Sequence, residues 1–213
     1  MQPADVAAAA ALLAVSMLRQ ACQAYWQHRR DRHVVTVDGR RELATVAIAR
    51  NVLIVAAVAL LLRGVPHGAT VVLGWVLFLS GVAVRLVALA QLGAMYSFST
   101  EVRREHRLVR RGLYAIVRHP LYAADMWSGV GIVVLCQSTA LAIPLLVLVA
   151  AWLRRIPRED AALSAALGPA HAAYVREVPG LDVVRGAIRL LRQRRRDVGR
   201  RIAERHDRPR IAS

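Results

Sequence analysis

Residues 118–160 read RHPLYAADMWSGVGIVVLCQSTALAIPLLVLVAAWLRRIPRED, and this stretch decides the fold. Two apolar runs, about Leu121–Cys136 and Ser138–Leu153, lie back to back with only Gln137-Ser138-Thr139 between them. Each run would make a helix of about 24 Å, slightly short of a hydrocarbon core of about 30 Å. The expected form is a tight helical hairpin in a locally thinned bilayer. Its mouth carries Arg118-His119-Pro120-Leu121-Tyr122 at one foot and Arg155-Ile156-Pro157-Arg158-Glu159-Asp160 at the other. Charges at that depth are costly unless paired or bound to something, so two such clusters at one end of adjacent segments read as a single polar site. His119-Pro120 taken alone also fits a plain helix start, since proline is favoured in the first turn.

Working outward, three longer apolar runs precede the hairpin: roughly Val6–Tyr25, Ala44–Leu62 and Thr70–Leu92. Each is long enough to cross a bilayer. The first lacks a basic leader and runs into Arg19 and Tyr25-Trp26, so it is read as a retained span rather than a signal peptide. The expected fold class is an all-α integral membrane protein with about five transmembrane helices, a cytosolic pocket and a basic C-terminal helix. Residues 1–92 form the scaffold, 93–181 the chemical module and 182–213 the tail. Hydrophobic residues make up 56% of the chain, yet its formal net charge is +16, so charge is segregated into loops. The loops 27–42 and 93–120 are arginine-dense, and about half of all arginines follow Leu153. The positive-inside rule then places the N-terminus outside, and the C-terminus and the site on the cytosolic face. Cys22 and Cys136 lie far apart with no CxxC or Cys/His cluster, which supports neither a disulfide framework nor a metal site.

Two charges interrupt the long spans. Arg50 lies near the inner end of the second, where snorkelling to headgroups is the simple reading. Arg85 sits about two turns inside the third, and is expected to face protein or a polar cavity, with contact to a substrate left open. In the tail, Val184, Ile188, Leu191, Val198 and Ile202 recur at helical spacing among arginines. That pattern describes a basic amphipathic helix suited to anionic lipid headgroups. Without interleaved aromatics it is not read as a nucleic-acid site.

The inner module runs Leu92-Gly93, Tyr96-Ser97, His106-Arg107-Leu108-Val109-Arg110-Arg111-Gly112-Leu113-Tyr114 and Val117–Tyr122. After the hairpin follow Arg155-Ile156, Glu159-Asp160, Leu163, Gly168, Tyr174 and Pro179. Over roughly Leu89–Leu181 this order closely resembles the isoprenylcysteine carboxyl methyltransferase family and the related phospholipid methyltransferases. The family pattern has H-x-L-V-x-x-G-P-Y, R-H-P-x-Y-x-G, a hydrophobic hairpin, then R-I-x-x-E-E-x-x-L. The resemblance implies an integral membrane methyltransferase using S-adenosylmethionine, with a lipophilic acceptor entering from the bilayer. By the same resemblance His106, Leu108 and Val109 would meet the adenosine, Gly112 would allow a tight turn, and Tyr114 would pack on the cofactor. Arg118, His119, Pro120 and Tyr122 would shape the methionine side, and Glu159 would hold the cofactor's amino group or an acceptor's polar end, beside Asp160.

The residue types suit that chemistry. Methyl transfer needs an in-line nucleophile held close, and positioning supplies much of the rate. A carboxylate can pair an α-ammonium, and an arginine can pair a carboxylate through two parallel bonds. An acidic acceptor is already ionised and needs no base; a phenol would need one, with His119 or Glu159 as candidates. Arg118 or Arg155 could orient an acceptor anion. Four positions depart from the pattern: Leu113 replaces the proline of G-P-Y, Ala124 a glycine, Asp160 the second glutamate, and His171 an aromatic. They leave the acceptor open among a carboxylate, a phenol and an amine, with a prenylcysteine-like carboxylate as the family default. Two other classes remain: an NADPH-dependent membrane reductase of the sterol-reductase type, disfavoured by the small span number and the retained R-I-x-x-E, and a non-catalytic membrane adaptor anchored by its tail.

Overall fold

The computed structural model describes residues 2–28, 35–36, 40–93, 101–102 and 108–206. Seven helices follow in order: α1 (Pro3–His28), α2 (Arg40–Arg63), α3 (Ala69–Leu92), α4 (Pro120–Cys136), α5 (Ala142–Leu167), α6 (Pro169–Glu177) and α7 (Val183–His206). Single 3-10 turns cover Gly112–Ala115 and Thr139–Leu141, and a two-residue antiparallel pairing joins Val35–Thr36 to Glu101–Val102. The protein is all-α and membrane-embedded in character. Among the described residues, four helical segments are long and apolar enough to cross a bilayer: Pro3–Trp26, Arg41–Arg63, Ala69–Leu92 and Thr139–Leu167. Their outward faces carry exposed aliphatics such as Ile48, Val55, Val72, Ile143 and Leu146, the surface expected toward lipid.

The fifth apolar helix, α4, has 17 residues and lies inside the bundle rather than at its edge. It packs chiefly along α3, whereas α5 packs chiefly along α2. The α4–α5 connection is as short as expected, closed by Gln137 in the left-handed region (φ 48°), but each helix finds its main neighbour elsewhere. Glycine explains the closeness of α3 and α4. A Cβ on Gly74 would lie 2.4 Å from the Leu135 backbone nitrogen, and one on Gly131 would lie 2.4 Å from that of Phe78. Backbones this near each other are the small-residue packing that membrane helices use in place of a hydrophobic driving force.

One boundary differs from the sequence reading. The last apolar run does not end at Leu153; α5 continues to Leu167 with Pro157 inside it. Proline removes one intrahelical hydrogen bond and frees the carbonyl four residues earlier. The turns on either side hold, so the cluster at 155–160 projects from the same rod as the span. Helix periodicity then places Trp152, Arg155 and Glu159 on neighbouring turns of one face.

Within the bundle sits a buried ionic cluster. The Asp125 carboxylate on α4 accepts from Arg19 Nη1 of α1 at 2.7 Å and lies 3.0 Å from Arg85 Nη1 of α3. Arg85 also donates to Gln23 Oε1 at 2.7 Å and to the Leu121 carbonyl at 3.3 Å. Arg85 and Asp125 are each 2% exposed. Arg85 therefore faces protein, as its depth in the span suggested. Arg50 is buried as well instead of reaching outward, because it falls on the inward stripe of α2 with Val46, Ala49 and Leu53.

Two outcomes follow. Gly131→Leu is expected to destabilise the bundle by about 1–3 kcal/mol through overpacking against α3, seen as a lower melting temperature in detergent, while lipid-facing Val72→Leu leaves it unchanged. Asp125→Leu removes the carboxylate that two buried guanidinium groups share, at a cost of about 3–5 kcal/mol. Replacing Arg19 and Arg85 by methionine in the same chain should recover most of that loss; no recovery would show that the cluster is not an ion-pair unit.

Candidate active site

The site is built where the head of α4 meets the foot of α5. His119 caps α4, and Pro120 is its first residue, with φ already suited to a helix and no N–H to leave unpaired. Just before the helix, Arg118 N donates to the Pro179 carbonyl at 2.9 Å and His119 N to the Gly180 carbonyl at 3.1 Å. The chain leaving α6 is thereby held against the chain entering α4.

Asp160 is the hub of the first cluster. Its Oδ2 accepts from Arg118 Nη2 at 2.8 Å, and its Oδ1 lies 3.4 Å from Arg118 Nε and 3.1 Å from His119 Nε2. The remaining guanidinium nitrogen of Arg118 donates to the carbonyls of Val175, at 2.9 Å, and Val178. Arg118 is thus a fully engaged fork that ties α4, α5 and α6 together, and Asp160 orients both it and His119.

The second cluster lies beside it. Tyr122 Oη donates to Glu159 Oε2 and accepts from Arg155 Nε at 3.2 Å. Arg155 Nε is also 3.5 Å from Glu159 Oε2. The contacts of Glu159 within the described residues all meet that one oxygen. The Tyr122 ring stacks on Trp152, with centroids 3.9 Å apart, and on His119 at 5.2 Å, so three flat groups form a column. The Trp152 indole N–H is buried and has no acceptor among the described residues.

The 3-10 turn at Gly112–Ala115 leans on the same region. Gly112 has φ +61°, and a Cβ there would meet the Gln91 amide at 2.4 Å, so the turn requires glycine for both conformation and space. Gln91 Oε1 accepts from Leu113 N at 2.9 Å, a hydrogen bond that closes the turn although the family's proline is missing. Tyr114 is buried and reaches the Ala88 carbonyl at 3.5 Å, while its own carbonyl accepts from Tyr174 Oη at 2.7 Å. Burial raises the Tyr174 phenol above its usual range, which keeps it a donor. His171, in place of an aromatic, is 1% exposed, sits edge-on to Tyr174 at 5.9 Å and lies 2.9 Å from Ser164 Oγ through Nδ1. Burial holds its imidazole below the ordinary range.

The structure therefore brings Arg118, His119, Pro120, Tyr122, Arg155, Glu159 and Asp160 into one region, with Gly112 and Tyr114 in the adjoining turn. Leu108 and Val109 are half-buried, and Val109 packs against the same core as Tyr114 and Tyr122. His106, Tyr96 and Ser97 lie outside the described residues. Sequence reading missed Trp152, which looks like any aromatic in an apolar run, and Gln91, a polar residue one position before the Leu92-Gly93 pair. It also stopped one residue short of Asp125, an isolated acid in an apolar helix, which is itself a signal of a partnered charge.

Residues 72–165 match the model of the isoprenylcysteine carboxyl methyltransferase (ICMT) family. Protein-S-isoprenylcysteine O-methyltransferase B of Arabidopsis thaliana is 30% identical over 109 residues, which cover 50% of this chain and 55% of that protein. The solved structure of a eukaryotic intramembrane Ras methyltransferase, ICMT, aligns with a TM-score of 0.50 at 20% identity, over 68% of this chain and 53% of that one, a likeness of fold. The chain spans about half the length of each of these relatives. The match begins inside α3 and ends beyond Asp160, so it contains both clusters and leaves α1 and α2 outside. Residues 72–165, a little under half of the chain, are thus similar to the isoprenylcysteine carboxyl methyltransferase family.

Proposed function

We propose that this chain is an S-adenosylmethionine-dependent membrane methyltransferase acting on a lipophilic acceptor, by default a prenylcysteine-like carboxylate. The observation that carries the reading is the Tyr122–Trp152–Arg155–Glu159 group, polar at its tips and walled by rings, at the edge of the hydrocarbon-spanning bundle. Its donor set fits the methionine end of that cofactor. Glu159 offers a carboxylate oxygen to an α-ammonium, Arg155 offers a guanidinium to a carboxylate, and the orphaned Trp152 N–H offers a further donor to an oxyanion. The ring column supplies the π-faces that a sulfonium prefers.

When bound, S-adenosylmethionine would supply an electrophilic methyl on a positively charged sulfur. The chain's part is to bind, orient and exclude water. Glu159, held by Tyr122 and Arg155, is fixed before any ligand arrives, and such preorganisation spares reorganisation during reaction. The Arg118–Asp160–His119 clamp fixes the walls. In this arrangement Arg118 acts through Asp160 and the 175–180 backbone, and Arg155, beside Glu159, would orient an acceptor anion. A carboxylate acceptor needs no base. For a phenol, Glu159 is the nearer candidate, since the His119 Nε2 is already committed to Asp160.

The same reading sets the arginine-rich end on the cytosolic side, with the N-terminus outside, and lays the basic tail against anionic headgroups. A membrane reductase or a non-catalytic adaptor would use the same end of the bundle without methyl transfer.

Membranes carrying the protein should transfer labelled methyl from S-adenosylmethionine to an N-acetylated prenylcysteine with a free carboxylate, and not to its methyl ester. Absence of label in carboxylate, phenol and amine acceptors alike would overturn the reading. Glu159→Gln should raise the KM for S-adenosylmethionine about 10- to 100-fold, the scale of a hydrogen bond to a charged group. An unchanged KM would remove Glu159 from the cofactor's contacts.

A further inference from the structure

A groove between the end of α6 and the face of α7 lies outside the site described above. Its lining includes Arg185, Arg189, Arg192 and Arg196 together with Val184 and Ile188. The arginines recur every three or four residues, so they stand in a row on one side of the helix. The two acids at the rim are outnumbered by the four arginines: Glu177 is paired with Arg110, and Asp182 accepts from the Arg185 backbone N–H at 2.8 Å. Arg189 shows what the row lacks. One of its terminal nitrogens donates to the Ala115 carbonyl and the other to Gln193 Oε1 at 3.1 Å, while its Nε is buried without an acceptor among the described residues.

The position of α7 limits what could fill the gap. It begins at Val183, just after the segment whose Gly180 carbonyl accepts from His119 N at the head of α4. It is also pressed onto the turn at 115–116, where a Cβ on Gly186 would lie 1.9 Å from the Ile116 carbonyl oxygen. The start of α7 is therefore pinned beside the head of α4, the level at which a surrounding bilayer would place its headgroups. Beside the arginine row, Val184 and Leu191 are 70% and 61% exposed. An arginine row beside an apolar stripe on one interfacial helix matches the phosphate and the upper acyl chain of one lipid.

We propose that the α6–α7 groove is a binding site for the phosphate of an anionic membrane lipid, with Arg185, Arg192 and Arg196 meeting the headgroup and Arg189 Nε completing the contact from below. The proposal goes beyond the methyltransferase reading and does not depend on it. It places a lipid one side chain away from the turn that carries Gly112 and Tyr114.

The test uses the full chain in detergent micelles doped with phosphatidylglycerol or phosphatidylcholine, with bound lipid read by native mass spectrometry. The wild type should retain phosphatidylglycerol in preference to phosphatidylcholine. Arg185→Gln, Arg192→Gln and Arg196→Gln, all at exposed positions, should each weaken retention about fivefold. Arg194→Gln and Arg195→Gln, which change charge equally but lie off the groove, should not. Equal losses from both sets would reduce the effect to bulk charge and overturn the site. Displacement of the lipid by millimolar inorganic phosphate would identify a free-phosphate site and contradict a lipid one. Because no cofactor is present in this measurement, its outcome is independent of whether methyl transfer is found.

Discussion

Charge at the edge of hydrocarbon has to be answered within the protein, and this constraint organises the molecule. Two aspartates answer it at two depths. Asp125 gathers Arg19 and Arg85 among three helices, and Asp160 gathers Arg118 and His119 where α4, α5 and α6 meet. Removing either carboxylate would take the counter-charge away from buried guanidinium groups, which costs far more than the intact pair contributes. The geometry of everything nearby is therefore tied to these pairs. The head of α4 cannot shift without breaking the Arg118 fork, and the foot of α5 carries Glu159 beside the anchored Asp160.

Much of this was legible from residues alone. The apolar runs marked the helices, because a backbone inside a membrane must bond to itself and uninterrupted apolar runs of this length do so as helices rather than as barrel strands. The clusters at 118–122 and 155–160 announced a shared site, because unpaired charge at that depth is rare. The extent of α5 was not legible: Pro157 reads as a breaker in one dimension, yet the packed helix tolerates it. Nor was the neighbour of α4, because a short loop suggests a hairpin whereas the glycines at 74, 81 and 131 direct α4 to α3. Trp152 and Gln91 escaped notice because their roles depend on which rings and backbone groups the fold brings to them.

The two clusters divide the work in the proposed chemistry. In that proposal Asp160, Arg118 and His119 would hold the walls, while Tyr122, Arg155, Glu159 and Trp152 would present groups to a ligand. The shortened carboxylate at 160 suits a clamp, whereas the longer Glu159 extends farther from the α5 backbone. The scaffold helices also take part: α1 lies outside the family-matched region, yet Arg19 reaches Asp125 inside it.

Equilibrium binding to the purified full chain in nanodiscs tests the central claim most directly, with Trp152 as a reporter stacked on Tyr122. The account predicts a saturable change in tryptophan emission with S-adenosylhomocysteine, lost when Trp152 is replaced by phenylalanine, and no response to NADPH. Saturable binding of NADPH with none of S-adenosylhomocysteine would contradict it.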